Sequence, residues 1–283
     1  MINRLKSFVL DIRDRQRINI ALTKGAIAMQ NRNVVKTDPQ SWEFSGFSQN
    51  GEDGVLHMLR SQLLRCNRYF AEIGSADGVE NNTSWMAVAE KYHGLMIEGN
   101  SVLAERSRRL IQAANIGVRT ESIFVTLSSV KAISEMLAVR DPDVFSLDID
   151  GNDFYIAKAL LDAGIRPKVW AVEYNSVYGP ARALTVTYRD DFMIQSHSSE
   201  LYYGVSIAGW RALFEARGYR FVTVDRNGVN AFFVDRALFD EQFLHGIESV
   251  AFAENVYQLN KFRMPSTQQF KLIEHLEFVE IAD

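Results

Sequence analysis

The stretch covering residues 69–100 constrains the fold of this chain more than any other. A short apolar run ends in Glu72 and in a turn that contains Gly74 and Gly78; a helical segment follows, and a second apolar run ends in Glu98. This order of strand, glycine turn, helix, strand and acid predicts the first half of a nucleotide-binding α/β unit. Glycine lets a ligand approach the backbone, and Glu98 stands where a carboxylate would accept the hydroxyls of a ribose.

The same alternation continues along the chain. Apolar runs at 117–124, 144–150 and 169–175 are separated by helical patterns, which is typical of a parallel sheet covered on both faces. Two later apolar runs flank Arg226-Asn227-Gly228, a sequence that predicts a β-hairpin. We therefore predict a helical arm and linker at 1–47, a ligand-binding α/β domain at 48–237, and a mostly helical extension at 238–283.

Charge is distributed unevenly over these parts. Residues 1–37 carry a net charge of +6 within a chain whose net charge is −4, so the remainder is acidic. An acidic body argues against nucleic acid as the substrate. The basic arm could make peripheral contact with a membrane surface or another anionic partner, or it could be an ordinary solvated helix face.

The composition suggests a reducing compartment. The single cysteine, Cys66, excludes an internal disulfide. No apolar segment approaches the roughly 20 residues of a membrane helix, and Asp11 interrupts the apolar run near the amino terminus, which argues against a signal peptide. A cytoplasmic location is the expectation, and the two helical ends offer surfaces for a homo-oligomer.

The glycine turn does not match the dinucleotide fingerprint, which has a third glycine, and this speaks against an NAD enzyme. The pattern Glu72-x-Gly74-x-x-x-Gly78 instead resembles the first motif of class I S-adenosylmethionine (SAM) methyltransferases. The remaining possibility is a βα turn that binds no ligand.

The resemblance extends over residues 48–235. Ser48-Gln49-x-x-Glu52-Asp53, the runs 74–83, 94–99, 147–153 and 172–175, and the hairpin look like FkbM-type and related sugar methyltransferases. It implies a class I methyltransferase α/β fold: a seven-stranded sheet with an antiparallel last strand, plus helical additions at both ends. The implied SAM-binding residues are Glu72, Gly74, Ser75, Asp77, Gly78, Asn82, Thr83, Glu98, Gly99, Asn100 and, toward the adenine, Ser122.

Acidic residues also follow the fourth and fifth predicted strands. Asp148, Asp150 and Asp153 end one strand, and Glu173 and Asn175 end the next. Crowded carboxylates repel one another unless a cation neutralises them, and oxygen ligands suit Mg²⁺, Ca²⁺ or Mn²⁺. We predict a divalent cation, Mg²⁺ first, at Asp148, Asp150, Glu173 and Asn175. The alternative is a solvated acidic loop in which Asp153 caps the following helix.

This arrangement is similar to that of catechol and caffeoyl-CoA O-methyltransferases. Their metal is held by an Asp after the fourth strand and an Asp-Asn pair after the fifth. The position of their catalytic lysine is taken by Gly151 here, so another base is needed.

His197 is the candidate base. It lies in a long loop, residues 178–200, that follows the fifth strand on the predicted active face. A lone loop histidine can also be inert. The resemblance to sugar methyltransferases implies O-methylation of a hydroxyl on a sugar of a surface glycan or a secondary metabolite, with His197 and Asp148 as the candidate catalytic residues. The alternative is a non-catalytic scaffold or binding protein that retains the fold.

Overall fold

The structure is a computed structural model that describes the backbone of residues 2–282 and the side chains of residues 12–282. The strands are β1 (Tyr69–Ile73), β2 (His93–Glu98), β3 (Val118–Ser122), β4 (Val144–Leu147), β5 (Val169–Glu173), β6 (Leu184–Val186), β7 (Tyr219–Val224), β8 (Asn230–Asp235) and β9 (Phe278–Glu280). The helices are α1 (Ile2–Asn31), α2 (Glu52–Ser61), α3 (Ser101–Ala114), α4 (Val130–Met136), α5 (Asp153–Asp162), α6 (Ile207–Glu215), α7 (Glu241–Gly246), α8 (Val256–Phe262) and α9 (Ser266–Lys271).

The central sheet has seven strands in the order β3-β2-β1-β4-β5-β8-β7. Strands β1 to β5 pair in parallel, whereas β8 is inserted antiparallel between β5 and β7. This confirms the predicted class I methyltransferase fold, including its antiparallel last strand. The sequence predicts the hairpin because Gly228, at φ 71°, supplies the left-handed turn residue that joins β7 to β8.

Helices cover both faces of the sheet, so the strands are buried on both sides. Successive residues of β1 enter opposite cores: Tyr69, Ala71 and Ile73 pack in one cluster, and Phe70 packs in the other. Strand side chains alternate between faces, and two apolar cores therefore require the near-continuous apolar runs seen in the sequence.

The linker part of the predicted segment 1–47 is packed onto the domain. Trp42, Phe44 and Phe47 are buried and join the core cluster that contains α2. Helix α1 also contacts this face, where a Cβ on Gly25 would lie 2.3 Å from the Trp85 ring. The segment is thus part of the core, because removing the apolar surface of its aromatic side chains from water is favourable.

Two predicted helical segments differ in the structure. Residues after Ser84 form a short π-helical turn, Trp85–Ala89, in place of a full helix. The tail, predicted to be mostly helical, is only partly so: α7, α8 and α9 are short, and β9 pairs antiparallel with β6. That pairing forms a second, two-stranded sheet, which local sequence patterns could not reveal because its strands lie far apart in the chain.

The basic arm is only partly available for an anionic partner. Arg4 and Lys6 lie outside the described side chains, while Arg17 binds Asp77 and Arg32 donates to the Trp42 carbonyl. Its other cations are exposed: Arg13, Arg15, Lys24 and Lys36. None of the helices within residues 2–282 combines the length and hydropathy of a membrane span.

Glu90 is the centre of a group of charged and polar side chains beside the core cluster that contains α2. It accepts hydrogen bonds from Arg60, which is 5% exposed, from the Trp85 indole at 3.1 Å, and lies 3.0 Å from His57 Nδ1. Burial raises the pKa of Glu90, but the hydrogen bonds and charges of His57 and Arg60 outweigh it and lower that pKa to about 2. The ionised carboxylate is therefore strongly stabilised in the fold.

We expect Glu90→Gln to lower the free energy of unfolding by roughly 3 kcal/mol at pH 7. The pKa of Glu90 falls on folding, from the ordinary value of 4.5 to about 2. This stabilisation is therefore complete above pH 4.5 and is lost as the pH falls toward 2. Urea unfolding should show the difference between the two proteins shrinking by roughly 1 kcal/mol between about pH 7 and pH 4. Glu135→Gln, on the exposed face of α4, is the control; a pH-independent difference for Glu90→Gln would contradict the prediction.

Candidate functional site

A cavity of about 680 Å³ opens at the carboxyl ends of β1, β2, β4 and β5. Its walls are the turn after β1, the exits of β2 and β3, the loop after β4, and the segment 192–195 of the long loop. The chain order of the strands reverses between β1 and β4, and open α/β sheets bind ligands at such a switch point. The volume suits a small molecule with room for a second reactant.

Gly74 brings the exits of β1 and β4 together. Its φ is +89°, and a Cβ there would lie 1.6 Å from the carbonyl oxygen of Asp148. Its amide donates to the Ile97 carbonyl at 2.8 Å. Glycine is therefore required here for backbone-to-backbone packing, and this packing places the acidic loop after β4 beside the turn.

Glu98 fixes the turn from the end of β2. One carboxylate oxygen accepts from the Ala76 amide at 2.9 Å, and the other accepts from the Asn100 amide at 2.7 Å. Each oxygen retains a lone pair for a further donor in the cavity. The Asn100 side chain caps α3, so the residues after β2 are held by local hydrogen bonds.

Glu72 is buried at the end of β1, with its carboxylate turned toward the segment after the turn. It accepts from the Asn82 amide at 2.9 Å and from the Thr83 hydroxyl at 2.5 Å. Burial raises the pKa of Glu72 to about 7, against the hydrogen bonds of Thr83, Asn82 and Ser146. Asn82 and Thr83, predicted to bind the cofactor, thus hold Glu72 in place.

Asp77 is held by cations from two helices. Its carboxylate lies 2.5 Å from Arg17 of α1 and 3.0 Å from Arg106 of α3. A Cβ on Gly78 would meet the Ser107 hydroxyl at 2.6 Å, so Gly78 serves helix packing. Several predicted cofactor residues therefore do not line the cavity: Ser75, Asp77, Gly78, Thr83 and Ser122. At the β3 exit, residues 123–125 line it instead.

Asp148, Asp150 and Glu173 form the acidic cluster of the cavity. One ligand oxygen from each lies within 4.8 Å of those of the other two. Burial and the charges of the neighbouring carboxylates raise the pKa values of Asp148 and Glu173 well above their ordinary range. Like charges this close repel one another, and a bound cation would relieve that repulsion.

The loop that presents this cluster is held by Asp153 at the start of α5. Its carboxylate accepts from the Ile149 amide at 2.9 Å and the Gly151 amide at 2.8 Å. Between these bonds, Asp150 adopts φ 54°, a left-handed conformation that is costly for a residue other than glycine. Asp153 thus shapes the loop and exposes the Asp150 carboxylate.

Asn175 and His197 lie outside the cavity lining. The Asn175 amide donates to the carbonyls of Leu201 and Tyr203, and its oxygen accepts from the Val177 amide, so its polar atoms are engaged in the loop. The His197 ring packs against Phe192, with 4.5 Å between centroids. Desolvation and the charge of Arg189 lower its pKa.

Phe192 occupies the space beside Gly151. A Cβ on Gly151 would lie 2.3 Å from the Phe192 ring. A lysine at position 151 would therefore displace the Phe192 ring. The catalytic lysine of catechol and caffeoyl-CoA O-methyltransferases has no room at this position, and glycine fits.

A pair of polar residues that no sequence pattern indicated also lines the cavity. Glu52 and Asn230 are 1% and 3% exposed and line the cavity together with Asn50. The available signal was the Ser48–Asp53 motif: Asp53 accepts from three successive amides, 46 to 48, and so fixes the loop that positions Glu52. No local sequence pattern indicates that Asn230 lines the cavity, because it lies in an ordinary hairpin strand.

All the charged side chains that line the cavity are acidic. Among the described residues, no lysine, arginine or histidine lines it. Its carboxylates are Glu52, Glu72, Glu80, Glu98, Asp148, Asp150 and Glu173. Such a lining favours cationic ligands and disfavours unneutralised anions.

The chain matches none of the protein-family models and none of the curated proteins with which it was compared. Solved structures do resemble it. The O-methyltransferase from Bacillus cereus, in complex with SAH, is 17% identical with a TM-score of 0.43, and the match covers 77% of this chain and 89% of that one. TomG from Streptomyces achromogenes, an O-methyltransferase of tomaymycin synthesis in complex with SAM, is 19% identical with a TM-score of 0.43, covering 75% and 87%. The fibrillarin pre-rRNA processing protein of Methanococcus jannaschii is 14% identical with a TM-score of 0.40, covering 60% and 67%.

Proposed function

We propose that this protein is a SAM-dependent O-methyltransferase, assisted by a divalent cation, that methylates a hydroxyl of a sugar in a surface glycan or secondary metabolite. The observation that supports this best is that the glycine turn, Glu98 and the acidic cluster share one cavity at the switch point of a class I methyltransferase fold. A ribose-binding carboxylate next to a cation-binding cluster suits a methyl donor and a hydroxyl acceptor side by side.

The cofactor half of the cavity fits SAM by charge and by hydrogen bonding. SAM carries a sulfonium and an ammonium group, and the charged side chains that the structure describes in the lining are all carboxylates. Glu98 would accept the ribose hydroxyls through its free lone pairs, while its bonds to Ala76 and Asn100 keep it oriented. Residues 123–125 would form the wall near the adenine. When bound, SAM supplies the electrophilic methyl group.

Asp148, Asp150 and Glu173 would hold the cation. Their oxygens suit Mg²⁺, and neutralisation would relieve the repulsion that raises the pKa values of Asp148 and Glu173. A cation bound there would lower the pKa of the acceptor hydroxyl. We leave Asn175 out of the proposed ligand set because its side-chain atoms are engaged elsewhere.

The chain's own groups would position the acceptor and take its proton. Asp148 and Glu173 reach the cavity, so a carboxylate is better placed as the base than His197, which lies outside the lining. Phe192 would close the cavity wall and exclude water from the reacting groups. Most of the rate enhancement would then come from positioning and charge stabilisation.

We expect Glu98→Ala to weaken binding of S-adenosylhomocysteine by roughly 30-fold or more, because charged hydrogen bonds to the ribose are lost, at about 2 kcal/mol. Isothermal titration calorimetry measures this directly. Glu121→Ala, at the edge strand β3 and outside the lining, is the control and should bind as the wild type does. Unchanged affinity in Glu98→Ala would remove Glu98 from the site. A wild-type protein that gives no heat would favour the scaffold alternative.

A further inference from the structure

Asn230 carries a buried polar atom that no described residue satisfies. The side chain is 3% exposed and lines the cavity, yet its Oδ1 has no hydrogen-bond partner in the part of the chain that the structure describes. Leaving a buried acceptor unpaired costs free energy, so such an atom at a cavity wall points to a ligand that donates to it.

The orientation of the Asn230 amide is fixed by charge. Its Nδ2 donates to Glu52 Oε1 at 2.7 Å, and reversing the amide would place Oδ1 against that carboxylate. Glu52 also accepts from the Asn50 backbone amide at 2.6 Å and from the Asn50 side chain at 2.9 Å. Asn50 in turn accepts from Asn227 at 3.1 Å. Each side-chain amide of this network donates one hydrogen bond within it, and Asn230 Oδ1 is a buried acceptor that none of these donors reaches.

Asn230 lies beside the acidic cluster. It is the direct partner of Glu173 in the antiparallel β5–β8 ladder. Side chains of directly opposed residues project from the same face of a sheet. Asn230 therefore lies at the part of the cavity wall where a methyl acceptor would meet Asp148 and Glu173.

We propose that Asn230, oriented by Glu52, is a recognition residue that accepts a hydrogen bond from a second hydroxyl of the methyl acceptor. This rests on the proposed function and narrows its substrate class to an uncharged polyhydroxylated molecule. Within residues 12–282, no basic side chain of the lining could pair with a phosphate or a carboxylate, whereas a hydroxyl supplies the donor that Oδ1 lacks. The subsite thus selects a neutral glycoside over an anionic sugar.

The test is binding of neutral methyl glycosides (gluco, galacto, manno and rhamno) by titration NMR, with and without S-adenosylhomocysteine. We expect at least one to bind the wild type and to bind Asn230→Ala at least about tenfold more weakly, with S-adenosylhomocysteine affinity unchanged. Glu52→Gln keeps Asn230 but releases its orientation, and it should weaken the same glycoside. Asn227→Ala, at the outer end of the network and outside the lining, is the matched control and should bind normally.

Three outcomes would overturn the subsite: no glycoside binds the wild type, Asn230→Ala binds as tightly as the wild type, or Asn230→Ala loses Mn²⁺ while keeping the glycoside. The last result would make Oδ1 a metal ligand. Because glycosides are also titrated without S-adenosylhomocysteine, the experiment can contradict the subsite without contradicting the methyltransferase function, and the reverse. If the wild type does not bind S-adenosylhomocysteine but binds a glycoside that Asn230→Ala does not bind, the subsite is supported and the methyltransferase proposal is contradicted.

Discussion

Gly74→Ala is expected to destabilise the protein by at least about 3 kcal/mol and to weaken S-adenosylhomocysteine binding by at least about 100-fold. Two effects act together. Alanine is strained at φ +89°, and its Cβ would lie 1.6 Å from the Asp148 carbonyl oxygen. That oxygen is backbone, so the exits of β1 and β4 must separate, and the turn and the acidic loop move apart. Chemical unfolding and calorimetry measure the two consequences.

Gly164→Ala is the matched control for the backbone strain. Gly164 follows α5 at φ +82°, and no atom of the described residues would lie within 4 Å of a Cβ there. This variant should show only the conformational cost, about 1 kcal/mol, with normal S-adenosylhomocysteine affinity. If the two alanine variants were equally stable, the close approach of β1 and β4 would not constrain the site as argued.

Asp148→Ala is expected to lower cation-dependent turnover by at least about 100-fold once an acceptor is known. It removes one of the three carboxylates of the cluster and one of the two that are placed to take the transferred proton. A readout that needs no acceptor is Mn²⁺ binding by electron paramagnetic resonance, which should be lost in the variant. His197→Ala, outside the lining, should keep most of the turnover. Full wild-type activity in EDTA together with an unimpaired Asp148→Ala would remove the cation from the mechanism.

The same cluster gives a stability test with a defined sign. The pKa values of Asp148 and Glu173 are raised on folding, so without a cation stability falls as the pH rises above the ordinary carboxyl range. Asp148→Asn removes the repulsion and should raise the melting temperature of the cation-free protein at alkaline pH, by about 2–4 °C per kcal/mol of repulsion removed. Added Mg²⁺ should stabilise the wild type and not this variant. A variant that melts below the cation-free wild type would show that Asp148 contributes to stability in its own right.

The sequence by itself determined the sheet and the end at which ligands bind. Apolar runs between helical patterns specified strands buried on both faces, and the Arg226-Asn227-Gly228 turn specified the hairpin that inserts β8. Parallel strands meet at one edge, so Glu98 and the acids after β4 and β5 could be placed together from their strand-end positions alone. These features depend on local periodicity and turn chemistry, which a single sequence displays.

Only the tertiary structure decided which polar atoms face the cavity. Asn175 and His197 have suitable chemistry and suitable positions in the chain, but contacts in the long loop place them outside the lining. Glu52 and Asn230 face the cavity because a hydrogen bond joins residues 178 positions apart. The direction of a side chain is set by ladder register and by long-range hydrogen bonds, and these arise from packing that no local pattern records.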